Sequence, residues 1–571
     1  MKCSLIRGLS GLAALTPAAA GASLTTQASP EPSARGPMVE LSFGSFTGKS
    51  SHGIETFNGI PYAEPPVGPL RLRPPKKLSR HVGHKVVSRR APVCPQMIMD
   101  RKSSAMVAKY APSVFKLPFW QAAKGQEDCL IVTVQRPAGV SSNQKLPVLI
   151  FLHGGGYEIG GAAAYDSTLF LATAMRDKQP FIYVALNYRL GGFGFMPGSE
   201  ILHAGSANLG LLDQRLALEW VADNIARFGG DPDKVTIWGE SAGAYSVLNQ
   251  MALFDGNASS YNGKPLFRSA IMNSGSLLPA LPVDCAKGQA VYDAVVEKAG
   301  CEKEHDTLGC LRNLEYSAFL NATAAVPGLF SYNALALSYL PRPDGKVLTA
   351  SIDELIETGR YYAIPMIISD LEDEGTLFSM LQQPIQSDQD FVSYLSKLYF
   401  PHASKDPLQR LVRAYPSNEQ GSPFRTGSAN VLYPYYKRIA AWMGDYAFQL
   451  TRRKFLELAT KVNPKVSAWS CLSSTYYGTP DVGTFHTSDL AQLFYDKSAT
   501  ATTLAWRRYY ANFVHSINPN QGQWTGHEWP VWSQKRSLLW FKNNSSMDYI
   551  QDDFRSEAYN VFSDIWGSLR Q

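Results

Sequence analysis

Val235-Thr236-Ile237-Trp238-Gly239-Glu240-Ser241-Ala242-Gly243-Ala244 reads as strand, turn and helix in immediate succession. Val235 to Trp238 is a short apolar run of the kind that forms a buried strand. Residues compatible with a helix continue from Ala244 to Leu253. Between them the pattern G-x-S-x-G places small residues on both sides of Ser241, as a sharp strand-to-helix turn with an exposed hydroxyl demands. The bare pattern is common. The strand before it and the helix after it make Ser241 a candidate nucleophile.

Working outward, Val148 to Leu152 and Phe181 to Leu186 are further apolar runs bounded by Gly, Pro, Asn or Asp. Leu212, Leu216, Trp220 and Ile225 recur at helical spacing within Leu211 to Phe228, which ends at Gly229-Gly230. Strand, helix and strand in this order mean a parallel sheet. The alternation resumes at Ala270 to Met272, Pro365 to Ile368 and Val466 to Ser470, with helical stretches such as Ala290 to Lys298 between. No internal repeat, low-complexity tract or linker interrupts Met38 to Trp566. We therefore expect one α/β catalytic domain over residues 37–571: a large, mostly parallel central sheet with helices on both faces.

A serine that attacks a carbonyl needs donors for the oxyanion and a base oriented by an acid. His153-Gly154-Gly155-Gly156 follows the strand Val148 to Leu152, so the backbone N–H groups of Gly155, Gly156 and Ala242 are the expected donors. His153 is expected to orient the loop. After the strand that ends at Ile368 comes the acidic Asp370-Leu371-Glu372-Asp373-Glu374-Gly375, at the strand end where open α/β sheets build their sites. Glu374 is the expected acid, and a solvated acidic turn suits Glu372 and Asp373. His486 lies in the loop Gly483-Thr484-Phe485-His486 after the last core strand, whereas His515 sits in an amphipathic helical run. His486 is the expected base. No H-E-x-x-H or clustered Cys/His pattern calls for a metal, and no cofactor is implied.

The chain has 571 residues, 45% hydrophobic and 18% charged, enough to bury a large core. Its formal charge of +6, or +4 without Lys2 and Arg7, is too weak and dispersed for a nucleic-acid footprint. Lys2 and Arg7 precede an apolar, small-residue run from Gly8 to Ala14, and the Ala18 to Ala22 segment offers small-x-small cleavage sites. Residues 1–20 read as a secretory signal peptide and 21–36 as a polar lead-in. No hydrophobic tail follows Ser568-Leu569-Arg570-Gln571, so a soluble, secreted protein is expected. Losing Cys3 with the leader leaves Cys94, Cys129, Cys285, Cys301, Cys310 and Cys471, which allow fifteen complete pairings. A bridge that closes a loop of about 35 residues stabilises by roughly 3 to 4 kcal/mol in the chain-entropy model. Glycosylation sequons begin at Asn257, Asn321 and Asn543.

With these residues in place, the sequence resembles the type-B carboxylesterases and lipases, a family of the α/β-hydrolase fold that includes cholinesterases and secreted fungal lipases. The serine signature runs from Phe228-Gly229-Gly230 to Gly243, and a second signature is Glu127-Asp128-Cys129-Leu130. The latter continues as Ile131-Val132-Thr133-Val134, where the family usually places an aromatic residue first. Phe57-Asn58-Gly59-Ile60-Pro61-Tyr62-Ala63 and Gly421-Ser422-Pro423-Phe424-Arg425-Thr426-Gly427 are similar to the secreted fungal lipases in particular.

That resemblance implies bridges Cys94 to Cys129 and Cys301 to Cys310, with Cys285 and Cys471 either a third bridge or free thiols. It also implies that the segment from about 94 to 129 is a lid. Met99, Met106 and Tyr110 share one helical face there, with Arg101, Lys102 and Lys109 elsewhere. The segment is then either an amphipathic lid opening on a lipid surface or a helix packed permanently on the domain. The implied activity is a serine ester hydrolase, a triacylglycerol lipase acting on acylglycerols. The alternative is a carboxylesterase for soluble short-chain or specialised esters. Choline esters are disfavoured, because the position about seventeen residues past Cys94 that would need an aromatic platform for the ammonium is Ala111. A non-catalytic adhesion relative is expected to have lost a triad member, and all three are present. Transient contact with a lipid interface is expected, and no obligate protein partner is implied.

Overall fold

The computed structural model describes residues 36–97, 101–120, 125–417 and 427–571. The expected leader, the lead-in up to residue 35, Ile98, Met99 and the motif from Gly421 to Thr426 lie outside them. The chain from Pro37 to Gln571 forms one compact unit.

Its frame is a sheet of eleven strands. In chain order they are β1 (Lys49–Ser51), β2 (Ile54–Pro61), β3 (Ile131–Pro137), β4 (Leu146–Leu152), β5 (Ile182–Leu186), β6 (Gly230–Glu240), β7 (Ser269–Asn273), β8 (Met366–Leu371), β9 (Ala468–Ser473), β10 (Ser537–Phe541) and β11 (Met547–Gln551). In space they run β11-β10-β9-β8-β7-β6-β4-β5-β3-β2-β1. The stretch from β5 through β4 to β10 is parallel. Both margins turn antiparallel. The parallel strands are buried at nearly every residue, which explains their unbroken apolar runs: helices cover both faces.

The helices that matter for the site are α1 (Arg101–Tyr110), α2 (Thr168–Arg176), α3 (Leu209–Asn224) and α4 (Ala242–Ala252). The helix expected over Leu211 to Phe228 closes with a tight 3-10 turn at Ile225–Phe228, because Gly229 takes the left-handed conformation there (φ 87°).

Cys94 is bonded to Cys129 and Cys301 to Cys310, with Cα separations of 5.0 and 5.9 Å. Cys285 and Cys471 are free thiols. Asn257, Asn321 and Asn543 are all exposed.

A buried ion pair ties α3 to the chain just after β5. Arg189 donates from Nε to Asp213 Oδ2 (2.8 Å) and from Nη2 to Oδ1 (2.8 Å), and its backbone N–H also reaches Oδ2 (3.0 Å). Asp213 is wholly buried and Arg189 nearly so. Removing one partner strands the other charge. Asp213→Asn is expected to destabilise the fold by about 3 to 5 kcal/mol, read as a lower urea midpoint with an unchanged slope.

Candidate active site

Ser241 stands where β6 gives way to α4, with φ 55° and ψ −125°. For a residue with a side chain this is strained backbone, costing on the order of 1 to 3 kcal/mol. Two glycines make the turn feasible by close approach. A Cβ on Gly239 would lie 2.1 Å from the Gly243 carbonyl oxygen, and one on Gly243 only 1.9 Å from the Leu152 oxygen. The elbow therefore presses directly on the end of β4, from which the glycine loop departs. The Ser241 N–H donates to Asn273 O at the end of β7 (2.9 Å).

Gly155 (φ 106°) and Gly156 (φ 61°) take conformations that side chains disfavour. A Cβ on Gly155 would fall 2.1 Å from Ile159 O. The loop is closed by the N–H groups of Glu158 and Ile159, both donating to Gly155 O at 3.0 Å. Among the described residues the N–H groups of Gly155 and Gly156 have no backbone acceptor. Ala242 opens α4, so its N–H has no partner within the helix. His153 is buried beneath this loop, stacked on Tyr188 at 4.5 Å, with Nδ1 2.9 Å from Gly154 O.

Glu374 and His486 meet because an isolated parallel bridge joins Asp373, just past β8, to Phe485 in the loop that follows β9. Each bridge residue precedes one of the pair. His486 Nδ1 lies 2.5 Å from Glu374 Oε2, while Glu374 Oε1 accepts from the Leu371 N–H (2.8 Å). Phe378 and Phe448 pack on the imidazole at 5.0 and 4.8 Å. Burial pushes the Glu374 carboxyl up and holds the His486 imidazole well down, to about 3, with Asp489 the main opposing influence on the histidine. The proton across the 2.5 Å contact belongs to the pair.

Glu372 and Asp373 do not form a solvated turn; they are 2% and 1% exposed. Asp373 Oδ2 accepts from the Thr484 N–H (2.7 Å), and its own N–H donates to Thr484 O (3.1 Å). These bonds hold the acid and histidine loops in register.

Other site residues carried no signal in the sequence. Glu240, beside the serine, is buried, with Oε1 3.2 Å from His486 Nε2. Burial, then Asp489 and Glu374, raise its pKa well above the ordinary range. Asp489 binds Asn273 Nδ2 (2.5 Å), whose Oδ1 accepts from Trp238 and Tyr510 (2.8 and 2.9 Å). Ser241 faces a nearly closed cleft of about 10 Å³ lined by Phe119, Trp120, Tyr165, Leu329 and Phe378. Trp120 closes it, donating from Nε1 to Thr487 Oγ1 at 3.1 Å. In α1 the inward residues are Ser103 and Val107, followed by Ala111, while Met106 and Tyr110 are half-buried.

A model of the carboxylesterase family matches residues 35–562. The chain is 52% identical over 533 residues to a secreted triacylglycerol lipase of Gibberella zeae, covering 93% of this chain and 90% of that one. It is 49% identical to secreted lipase 1 of Botryotinia fuckeliana, over 89% of each. The crystal structure of EstA from Aspergillus niger superposes with a TM-score of 0.78 over 94% of this chain and 99% of that one, at 23% identity, a likeness of fold.

The elbow contacts are open to test. Gly243→Ala puts a methyl 1.9 Å from the Leu152 oxygen, so esterase activity on p-nitrophenyl butyrate is expected to fall to about 1% or less of the parent. Gly478→Ala, where a Cβ meets nothing within 4 Å, is the control and is expected to stay within about twofold.

Proposed function

This chain belongs to the carboxylesterase family and is a carboxylic ester hydrolase, and from that premise we propose that it is a secreted triacylglycerol lipase working through Ser241, His486 and Glu374. The observation that carries the reading is the buried 2.5 Å contact of His486 with Glu374, beside a serine on a strained elbow. Substrate class is supported by the apolar, tryptophan-covered cleft and by the likeness to the secreted lipases of Gibberella and Botryotinia. That likeness also supports secretion, as does the leader-like sequence from Lys2 to Ala22.

Ser241 Oγ attacks the ester carbonyl carbon while His486 Nε2 takes its proton, and Glu374 orients the ring and stabilises the imidazolium. The oxyanion is received by the N–H groups of Gly155, Gly156 and Ala242. Collapse breaks the bond to the alcohol oxygen, which leaves with the proton from Nε2. Water then repeats the sequence on the acyl-serine and frees the acid. In the structure Nε2 lies 3.2 Å from Glu240 Oε1. Opening requires the Trp120 to Thr487 bond to break, and the segment from Cys94 to Cys129 is the lid that breaks it at a lipid surface.

Initial rates for triglycerides from tributyrin to triolein, carried across each solubility limit, are expected to jump when an interface forms and to include long chains. Saturation below the limit, with long chains refused, would make the protein a carboxylesterase for soluble esters. Ser241→Ala is expected to lower kcat by roughly 10⁴-fold or more.

The base must be unprotonated to act, and burial lowers the His486 pKa from 6.5. The imidazole thus stays neutral as pH falls past that value. The acid limb of kcat/KM is expected below pH 6.5, and a limb above it, as for an exposed histidine, would contradict His486 as a buried base.

A further inference from the structure

Tyr165 separates two spaces of unlike chemistry. It is 5% exposed, and it lines both the catalytic cleft and a groove of about 130 Å³ bounded by Lys49, Thr56, Arg90 and Asp166. Lys49, Thr56 and Asp166 also bound a larger groove of about 550 Å³, walled by Leu169, Ala172 and Phe494 and rimmed by Lys497. The partition is an aromatic stack. Tyr165 lies on Phe151 (4.7 Å), Phe494 (5.7 Å) and, nearly parallel, Phe119 (6.1 Å). Tyr495 pins the adjoining backbone by donating to Ala164 O. Phe119 belongs to the segment that covers the cleft.

Along the grooves cations outnumber carboxylates. Lys49, Arg90 and Lys497 are exposed, and none has an ion-pair partner among the described residues. The one acid in the lining, Asp166, stays ionised: its Oδ1 accepts from Gln135 Nε2 (2.9 Å) and from the N–H and hydroxyl of Thr168 (2.9 and 2.6 Å), and it offsets part of the Lys49 charge. Asp496, next to Lys497, is likewise taken by the Ser498 and Thr503 hydroxyls.

Hydrolysis of a carboxylic ester leaves a carboxylic acid that ionises at neutral pH. Beside Ser241 that anion meets the buried Glu240, in surroundings that disfavour an unpaired charge. Across Tyr165 it finds the opposite: cations for the head group and an apolar wall for the chain. We propose that the groove of Lys49, Arg90 and Lys497 is a binding site for the fatty-acid product, a long-chain carboxylate taken up as it leaves the cleft. The proposal rests on ester hydrolysis alone and holds whether the substrate is a glyceride or a simpler ester.

Decanoate binding, titrated calorimetrically into the full-length Ser241→Ala protein, tests it. Adding Lys49→Glu and Lys497→Glu is expected to weaken decanoate about tenfold, and 1-decanol by less than about twofold. The milder Lys49→Ala with Lys497→Ala is expected to weaken decanoate in the same direction by a smaller factor. Decanoate affinity unchanged in both double variants, or an equal loss for decanol, overturns the site. Tributyrin turnover by the parent protein is a separate readout. Its absence with decanoate binding intact defeats the catalytic reading alone, and normal turnover without charge-dependent binding defeats the groove alone.

Discussion

Everything at the site depends on how closely β6, α4 and the end of β4 approach one another around Ser241. With Gly239 against the Gly243 carbonyl and Gly243 against the Leu152 carbonyl, no side chain larger than hydrogen fits at either position. That contact holds Ser241 at a positive φ which relaxed backbone would leave. It also fixes the distance from the serine to the glycine loop, because the loop begins one residue past Leu152. A parallel sheet with these strands side by side is the scaffold that makes the approach possible.

Burial is the second organising influence. His486, Glu240, Glu374 and Asp489 are each no more than 1% exposed, so desolvation rather than ordinary pKa decides which of them carries charge. Burial favours the neutral imidazole, the form a base needs, and raises the pKa values of the carboxyls around it. The same aromatic cover that excludes water, from Phe119 and Trp120, turns the cleft into a poor place for an ionised product. A catalytic site that favours neutral species and a neighbouring groove that favours anions are two consequences of one partition.

Much of this was legible in the chain. The elbow around Ser241, the glycine loop after Leu152 and the parallel strands announce themselves through local pattern, because small residues and unbroken apolar runs are demanded by the backbone where they occur. Glu374 and His486 were legible by position, each following a strand end. Glu372 and Asp373 misled, since an acidic run looks solvated until the Thr484 N–H that buries Asp373 is brought to it from a distant loop. Glu240, Asp489, Trp120 and Tyr165 gave no signal at all.

By itself, then, the sequence determined the strand-turn-helix at Ser241, the order of serine, acid and histidine, and the apolar runs that build a parallel sheet, since these are written in neighbours along the chain. Only the tertiary structure decided which charges are buried together, that Trp120 closes the cleft on Thr487, and that Tyr165 divides it from a cationic groove. Those are contacts between residues far apart in the chain, and desolvation and packing act on what is near in space.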